Sequence, residues 1–148
     1  MHAIEFLKRE HGKAKAAFTE IEGASAAQRG SLWEKLRPEL EQHEEMEETH
    51  LYGPVAQDAH GDESLRTWES THHQQVEEAE GLIREIGRMQ PSDARWLATV
   101  KSLRSALENH IRQEEQEIWP KIMRAWNPDR LEEAGRQMEA QAQAAAAR

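Results

Sequence analysis

The sequence predicts an all-α protein: an antiparallel up-down-up-down four-helix bundle with a short fifth helix at the C-terminal end. Three observations support this fold class. Helix-favouring Glu, Ala, Gln, Arg and Leu dominate the 148 residues, and β-branched residues are few. Apolar residues recur every three or four positions within long segments. The connections between these segments are short, which is typical of such a bundle.

Helix-breaking stretches set the bounds of the predicted helices. GASAAQRGS, GPVAQDAHGDES, MQPSD and WNPD contain the glycines, prolines and turn-forming residues that end helices. They place the helices at roughly 2–22, 31–52, 63–88, 93–125 and 128–145. Pro38 predicts a kink or a helix start inside the second segment, and Asn127 with Pro128 predicts the start of the fifth. We expect these helices to form a single domain, residues 1–148.

The composition argues against several classes of function. A net charge of -9, from 28 acidic and 19 basic residues, disfavours a nucleic-acid partner, because phosphate binding needs a concentrated basic face. No apolar run is long enough to span a membrane, and the N-terminal segment lacks the apolar core of a signal peptide. We therefore expect a cytoplasmic protein with no membrane partner. The absence of cysteine excludes disulfides and thiolate chemistry.

Each of the four main helices carries a histidine on the apolar face that should be buried. In two of them a glutamate follows one turn later on the same face, because residues four apart are neighbours on a helix. The polar positions on these faces are His11, His43, Glu47, His50, His72, His110 and Glu114. Buried carboxylates and imidazoles need a common partner that offsets their desolvation. Together these groups suit a first-row metal such as iron, manganese or zinc.

The two halves of the chain repeat this arrangement. HEEMEETHLYGP (43–54) and HIRQEEQEIWP (110–120) each contain a histidine, two glutamates four and five residues later, then an aliphatic residue, an aromatic residue and a proline. A histidine on the preceding helix comes before each motif. The two aromatic residues, Tyr52 and Trp119, are expected to pack at the end of the bundle.

At these residues the sequence resembles the hemerythrin-like, or HHE cation-binding, domain family. The shared pattern is a histidine on helix one, H-x-x-x-E on helix two, a histidine on helix three and H-x-x-x-E on helix four, and the resemblance extends over about residues 2–140. It implies a non-heme centre of two iron ions, Fe2+ or Fe3+, with an oxo or hydroxo bridge. The metal ligands that it implies, with the two glutamates bridging the irons, are His11, His43, Glu47, His72, His110 and Glu114.

The resemblance also implies a function for this centre. We expect a protein that binds or reacts with O2, peroxide or nitric oxide, either in oxygen binding or in handling oxidative and nitrosative stress. The alternative is an iron- or oxygen-responsive sensing module without turnover, so enzymatic activity stays open, and a helical bundle without metal is a further alternative. Two E-x-x-H pairs match ferritin-like di-iron bundles, but their place on consecutive helices disfavours that family. We expect a monomer or a weak homo-oligomer.

Several polar residues near the motifs allow a second interpretation. His73 replaces His72 as the ligand if the third helix is rotated. His50 is either a further ligand or a hydrogen-bond donor to Glu47. The remaining glutamates of the motifs are expected on the solvated face, although the first of them is near enough to bind as a terminal ligand: Glu44, Glu45, Glu48, Glu115 and Glu117.

Overall fold

The architecture is helical throughout, in a computed structural model that describes residues 1–58 and 62–147. In chain order the helices are α1 (Ala3–Gly23), α2 (Ala26–Glu47), α3 (Gly53–Gln57), α4 (Glu63–Gly87), α5 (Ala94–Gln113), α6 (Trp119–Ala125) and α7 (Pro128–Ala146). Two π-helical turns, Glu48–Tyr52 and Glu114–Ile118, join α2 to α3 and α5 to α6. The described ranges therefore contain five long helical stretches and no strand, and the predicted all-α class is confirmed.

Polar side chains define where three of the helices begin. Asp62 and Asp93 each accept a hydrogen bond from the backbone N–H two residues later, at 3.0 and 2.9 Å. Asn127 accepts one from the N–H of Arg130 at 2.9 Å, and Pro128 occupies the first turn. Such caps satisfy backbone donors that have no partner inside the helix. The cap of α7 is the one that the sequence predicts.

The second helical stretch differs most from its predicted bounds. It begins at Ala26 rather than near 31, and it continues through Pro38 without starting anew there. It also passes Gly53 and Pro54 and ends at Gln57, because proline is tolerated in the first turn of α3. A glycine within a helix costs only about 1 kcal/mol relative to alanine, so neighbouring helix formers outweigh it. Residues 59–61 of the predicted break lie outside the described ranges.

The apolar core has two parts, and the buried polar residues lie between them along the helices. In α1, Leu7 belongs to one part and Phe18 to the other, with His11 between them. In α2, α4 and the stretch from α5 to α6 the buried polar residues likewise lie between the two parts, and the order of the parts along the chain is reversed in α2 and in the stretch from α5 to α6. Helix α1 packs against α2 and α7, and α4 packs against α5. Four histidine-bearing helices are thereby held around one polar layer, and none of the helices in the described ranges has the length and apolarity of a membrane span.

Candidate metal centre

The polar layer consists of the six residues that the sequence pattern selects as metal ligands. Each is at most 9% exposed, and within the described chain they are the whole set of buried polar or charged side chains: His11, His43, Glu47, His72, His110 and Glu114. Four different helical stretches contribute them. The structure thus brings together all six predicted positions in a single cluster.

The imidazole Nε2 atoms and the carboxylate Oε1 atoms face one another in this cluster. Glu114 Oε1 lies 3.4 Å from His11 Nε2 and 3.2 Å from His110 Nε2. Glu47 Oε1 lies 3.4 Å from His43 Nε2 and 3.5 Å from His72 Nε2. Each glutamate therefore lies between two histidines that come from different helices.

Most of these inward-facing atoms have no hydrogen-bond partner. The Nε2 atoms of His11, His43 and His110 and the Oε1 atoms of Glu47 and Glu114 are all buried and unpartnered. Buried polar groups in folded proteins are nearly always satisfied, so five such atoms facing a common space require an explanation. A bound cation supplies one, because both imidazole nitrogens and carboxylate oxygens are metal ligands.

The ligand atoms divide into two groups that share Glu47. One group contains His11, His43 and Glu47, and the other contains Glu44, Glu47, His72 and His110, with all ligand atoms of a group within 4.8 Å of one another. Glu44 Oε2 lies 2.9 Å from His72 Nε2, although the sequence places this residue on the solvated face with ligation as the alternative. The arrangement has room for two cations with a shared carboxylate.

Burial and neighbouring charges shift the pKa values of several residues in the cluster. Burial alone lowers the pKa of His43, but the facing Glu47 carboxylate outweighs it and raises that pKa to about 9. Burial also lowers the pKa of His72 and of His110, but the nearby carboxylates outweigh it and raise these pKa values to about 10 and about 11. Burial and then the neighbouring Glu47 charge raise the pKa of Glu114 above its ordinary value. The raised pKa values of His43, His72 and His110 favour their protonated forms, so a cation that binds these three imidazoles competes with protons.

Hydrogen bonds to residues outside the polar layer orient two of its imidazoles. His11 Nδ1–H donates to Glu115 Oε2 at 2.8 Å, and His110 Nδ1–H donates to the side-chain oxygen of Gln75. Gln75 in turn donates to Gln113 at 2.7 Å. With Nδ1 occupied, each ring presents Nε2 to the cluster, which is how metal-binding histidines are commonly held. Glu115, which the sequence places on the solvated face, is 30% exposed and also contacts His11 of α1.

Tyr52 is a site residue that the sequence interpretation missed. Its hydroxyl donates to Glu114 Oε2 and accepts a hydrogen bond of 2.8 Å from Trp119 Nε1. Both aromatic residues follow a motif glutamate by five positions and lie at the π-helical turns, where Gly53 N–H and Trp119 N–H donate to carbonyls five residues back. Five residues nearly complete one such turn, which brings the aromatic side chain back to the glutamate's face. Packing at the bundle end, as expected, thus includes contact with the cluster.

The comparison with known proteins identifies the family. The sequence model described as "Hemerythrin HHE cation binding domain" matches residues 2–122. The chain belongs to this family. The crystal structure of a hemerythrin HHE cation binding domain-containing protein from Mycobacterium kansasii is similar, with a TM-score of 0.80 over 95% of this chain and 84% of that chain, at 24% identity, which shows a common fold. No curated protein sequence matches the chain. The resemblance noted in the sequence is confirmed.

The structure separates the two neighbouring histidines of this hemerythrin HHE domain. His72 is 1% exposed and lies in the cluster, whereas the side chain of His73 is 59% exposed and pairs with Glu48 at 3.1 Å. His50 is directed away from the cluster, because its two ring nitrogens bond to Gln137 and Gln141 of α7 at 3.2 and 2.8 Å. These contacts place His50 and His73 outside the cluster, and they do not support a hydrogen bond from His50 to Glu47.

A cavity adjoins the hemerythrin-like cluster on one side. It lies between α1, α2 and α5, and its volume is about 40 Å³, enough for a molecule as small as O2. Its wall combines apolar side chains, among them Ala14, Phe18, Leu36, Leu40 and Leu107, with charged ones on all three helices. Three cluster histidines, His11, His43 and His110, also line it. A small apolar molecule in this cavity would therefore contact the imidazole side of the cluster.

Proposed function

We propose that this chain is a non-heme di-iron protein that binds or reacts with O2, peroxide or nitric oxide. The observation that carries the proposal is the set of five buried, unpartnered nitrogen and oxygen atoms in the polar layer. In this proposal His11 and His43 would bind one iron, and His72, His110 and Glu44 would bind the other. Glu47 and Glu114 would be shared between the two irons. Four imidazoles and a few carboxylates are a donor set that suits iron.

The protein's own residues prepare this centre for a small ligand. Two irons held in this way supply redox chemistry toward O2, peroxide or nitric oxide. Tyr52 fixes the carboxylate of Glu114 and offers a hydroxyl at the edge of the cluster. The cavity between α1, α2 and α5 has room for a small molecule beside three of the cluster histidines. This cavity favours a centre that binds a small ligand over a module that only holds iron, because holding iron needs no space beside the imidazoles.

The proposed architecture is a single domain over the whole chain. The four stretches that carry the cluster form an antiparallel up-down-up-down bundle, and α7, which lies beyond the family match, packs against α1. Short connections between the long helices support this topology.

Metal analysis tests the proposed centre. We expect protein purified without added iron to contain about two irons per chain, and Glu47→Ala to retain less than half of that, because this carboxylate is common to both ligand groups. Glu45→Ala is the matched control, since Glu45 lies two residues away on the exposed face of α2 and should leave the content unchanged. Equal iron content in the two variants, or a wild-type protein that holds no metal, would refute the centre.

Stopped-flow absorption on the ferrous protein tests the reactivity. Mixing with O2, hydrogen peroxide or nitric oxide should change the visible spectrum for at least one of them. Ala14→Leu fills the cavity and should slow that change several-fold at equal iron content, whereas Ala16→Leu, on the exposed face of α1, should not. An iron-loaded protein that responds to none of the three would contradict the proposed function and favour an iron-responsive module.

A further inference from the structure

A third group of ligand atoms, besides the two groups of the polar layer, lies at the protein surface. Glu48, Glu69 and His73 each offer one atom, and the three atoms are within 4.8 Å of one another. His73 Nε2 lies 3.1 Å from Glu48 Oε1. We call this group the outer triplet. One imidazole with two carboxylates is a donor set that suits a divalent first-row cation.

The outer triplet carries an excess of negative charge. The carboxylates of Glu48 and Glu69 place ligand oxygens within 4.8 Å of each other, and like charges this close repel each other. Among the ion pairs of the described residues, Glu48 pairs with His72 and His73 and with no lysine or arginine. A divalent cation between the carboxylates would remove this repulsion.

Two unpartnered atoms point to a missing ligand between the outer triplet and the polar layer. His72 is 1% exposed, and its Nδ1 has no hydrogen-bond partner, although it lies 3.9 Å from Glu48 Oε2. Glu48 Oε2 is likewise buried and unpartnered. Gly53 lies beside both carboxylates, because a Cβ there would lie 3.6 Å from Glu48 Oε1 and 3.7 Å from Glu69 Oε2, and 2.9 Å from the Glu48 carbonyl oxygen.

An acidic groove connects the outer triplet to solvent and to the polar layer. The groove has a volume of about 530 Å³, and the carboxylates that line it are Glu41, Glu44, Glu45, Glu48, Glu77 and Glu80. His72 and His73 line it as well. Clefts lined by charges of one sign concentrate counter-ions. Glu44 and His72 belong both to this wall and to the central ligand group, so the groove reaches two ligand residues of the proposed iron centre.

We propose that Glu48, Glu69 and His73 form a separate divalent-cation site, from which Fe2+ passes along the acidic groove to the central cluster. Cation binding by the outer triplet stands independently of the proposed function, whereas the delivery role rests on it. The occupant is a partly hydrated cation, because Glu48 and Glu69 are partly exposed and His73 is exposed, which leaves coordination positions to water.

Calorimetric titration with Zn2+ tests binding at the outer triplet. In iron-loaded protein we expect one further zinc per chain, with affinity at least ten-fold weaker in Glu69→Gln and in His73→Gln. Glu77→Gln is the matched control, because it removes one charge from the same groove without touching the triplet, and it should change the affinity less than two-fold. Equal zinc affinity in all four proteins, or no further zinc in the wild type, would overturn the site. If the protein takes up no iron, the proposed function fails. The same comparison of zinc affinities, made on metal-free protein, still shows whether the outer triplet binds a cation.

The rate of iron uptake tests delivery. Metal-free protein is mixed anaerobically with Fe2+, samples are quenched with a chelator over time, and protein-bound iron is measured. We expect Glu69→Gln and His73→Gln to slow uptake at least five-fold while reaching the wild-type content, and Glu77→Gln to slow it less than two-fold. Equal rates in the triplet variants and the control would overturn the delivery role, and a lower final content would show that the triplet belongs to the centre itself, which also contradicts it.

Discussion

The hydroxyl of Tyr52 joins the two π-helical turns to the polar layer, and Tyr52→Phe removes that oxygen alone. The ring keeps its edge-on contacts with Trp68 and His72, at centroid distances of 5.9 and 4.7 Å. The hydrogen bonds donated to Glu114 and accepted from Trp119 disappear, together with a longer contact of 3.5 Å to Glu47 Oε2. The variant therefore measures the polar network with little change in packing.

The cost of this change follows from the groups that lose their partners. Trp119 is fully buried, so its indole N–H would be left unsatisfied, which costs about 1–3 kcal/mol. The Glu114 carboxylate loses a donor, and hydrogen bonds to charged groups contribute about 1.5–3 kcal/mol. Protonation of Glu114 offsets part of the second cost, because burial and Glu47 already raise its pKa. We expect metal-free Tyr52→Phe to lose about 2–5 kcal/mol of unfolding free energy, or about 5–15 °C in Tm.

Urea unfolding of the metal-free protein, followed by circular dichroism, measures this loss. Tyr52→Phe and Trp119→Phe should couple in a double-mutant cycle by about 1 kcal/mol or more. Trp33→Phe is the control partner, because the buried Trp33 Nε1 has no hydrogen-bond partner and Trp33 lies in the other part of the core, so its effect should add to that of Tyr52→Phe. A loss below about 1 kcal/mol in Tyr52→Phe, or coupling no larger than with Trp33, would refute this account.

Three further predictions concern other parts of the molecule. Gly135→Ala should lower the unfolding free energy of the protein by about 1–3 kcal/mol, because its Cβ would overlap the Met1 carbonyl and lie 3.0 Å from the backbone nitrogen of Ala3. Gly12→Ala, with open space around it, should raise the unfolding free energy by about 0.5–1 kcal/mol in the same urea assay. His50→Ala should cost about 1 kcal/mol and keep full iron content; iron loss would make His50 a ligand. The raised histidine pKa values, about 9 to about 11, stabilise the metal-free protein fully below pH 6.5, and Tm measured with chelator should fall as the pH rises through them.

The helical period accounts for most of what sequence reasoning could predict here. A residue and the one four positions later share a face, so His43 with Glu47 and His110 with Glu114 had to point the same way once both segments were helical. The same reasoning separates His72 from His73 by about 100° around α4, and the structure buries the first and exposes the second.

The π-helical turns limited what a constant helical period could predict. A constant helical period directs Tyr52 away from the face of Glu47, but the π-helical turn between them restores that face. The repeated proline after each aromatic residue was the signal available in the sequence, since proline lacks the N–H that continues a regular helix. The sequence predicted a helix end before the first of these prolines, Pro54, and a helix that continues past the second, Pro120, whereas the structure contains a widened turn followed by further helix in both places.

The sequence by itself determined the helical class, the family and which face of each helix carries imidazole and carboxylate, because these properties depend on local spacing. Only the tertiary structure decided which side chains meet across helices. Glu115 reaches His11 from 104 residues away, and Gln75 reaches His110 from 35 residues away. Such contacts depend on the rotation and offset of packed helices, which the period of a single helix does not specify. The outer triplet likewise exists because α4 lies beside the π-helical turn after α2, which brings Glu69 and His73 to Glu48.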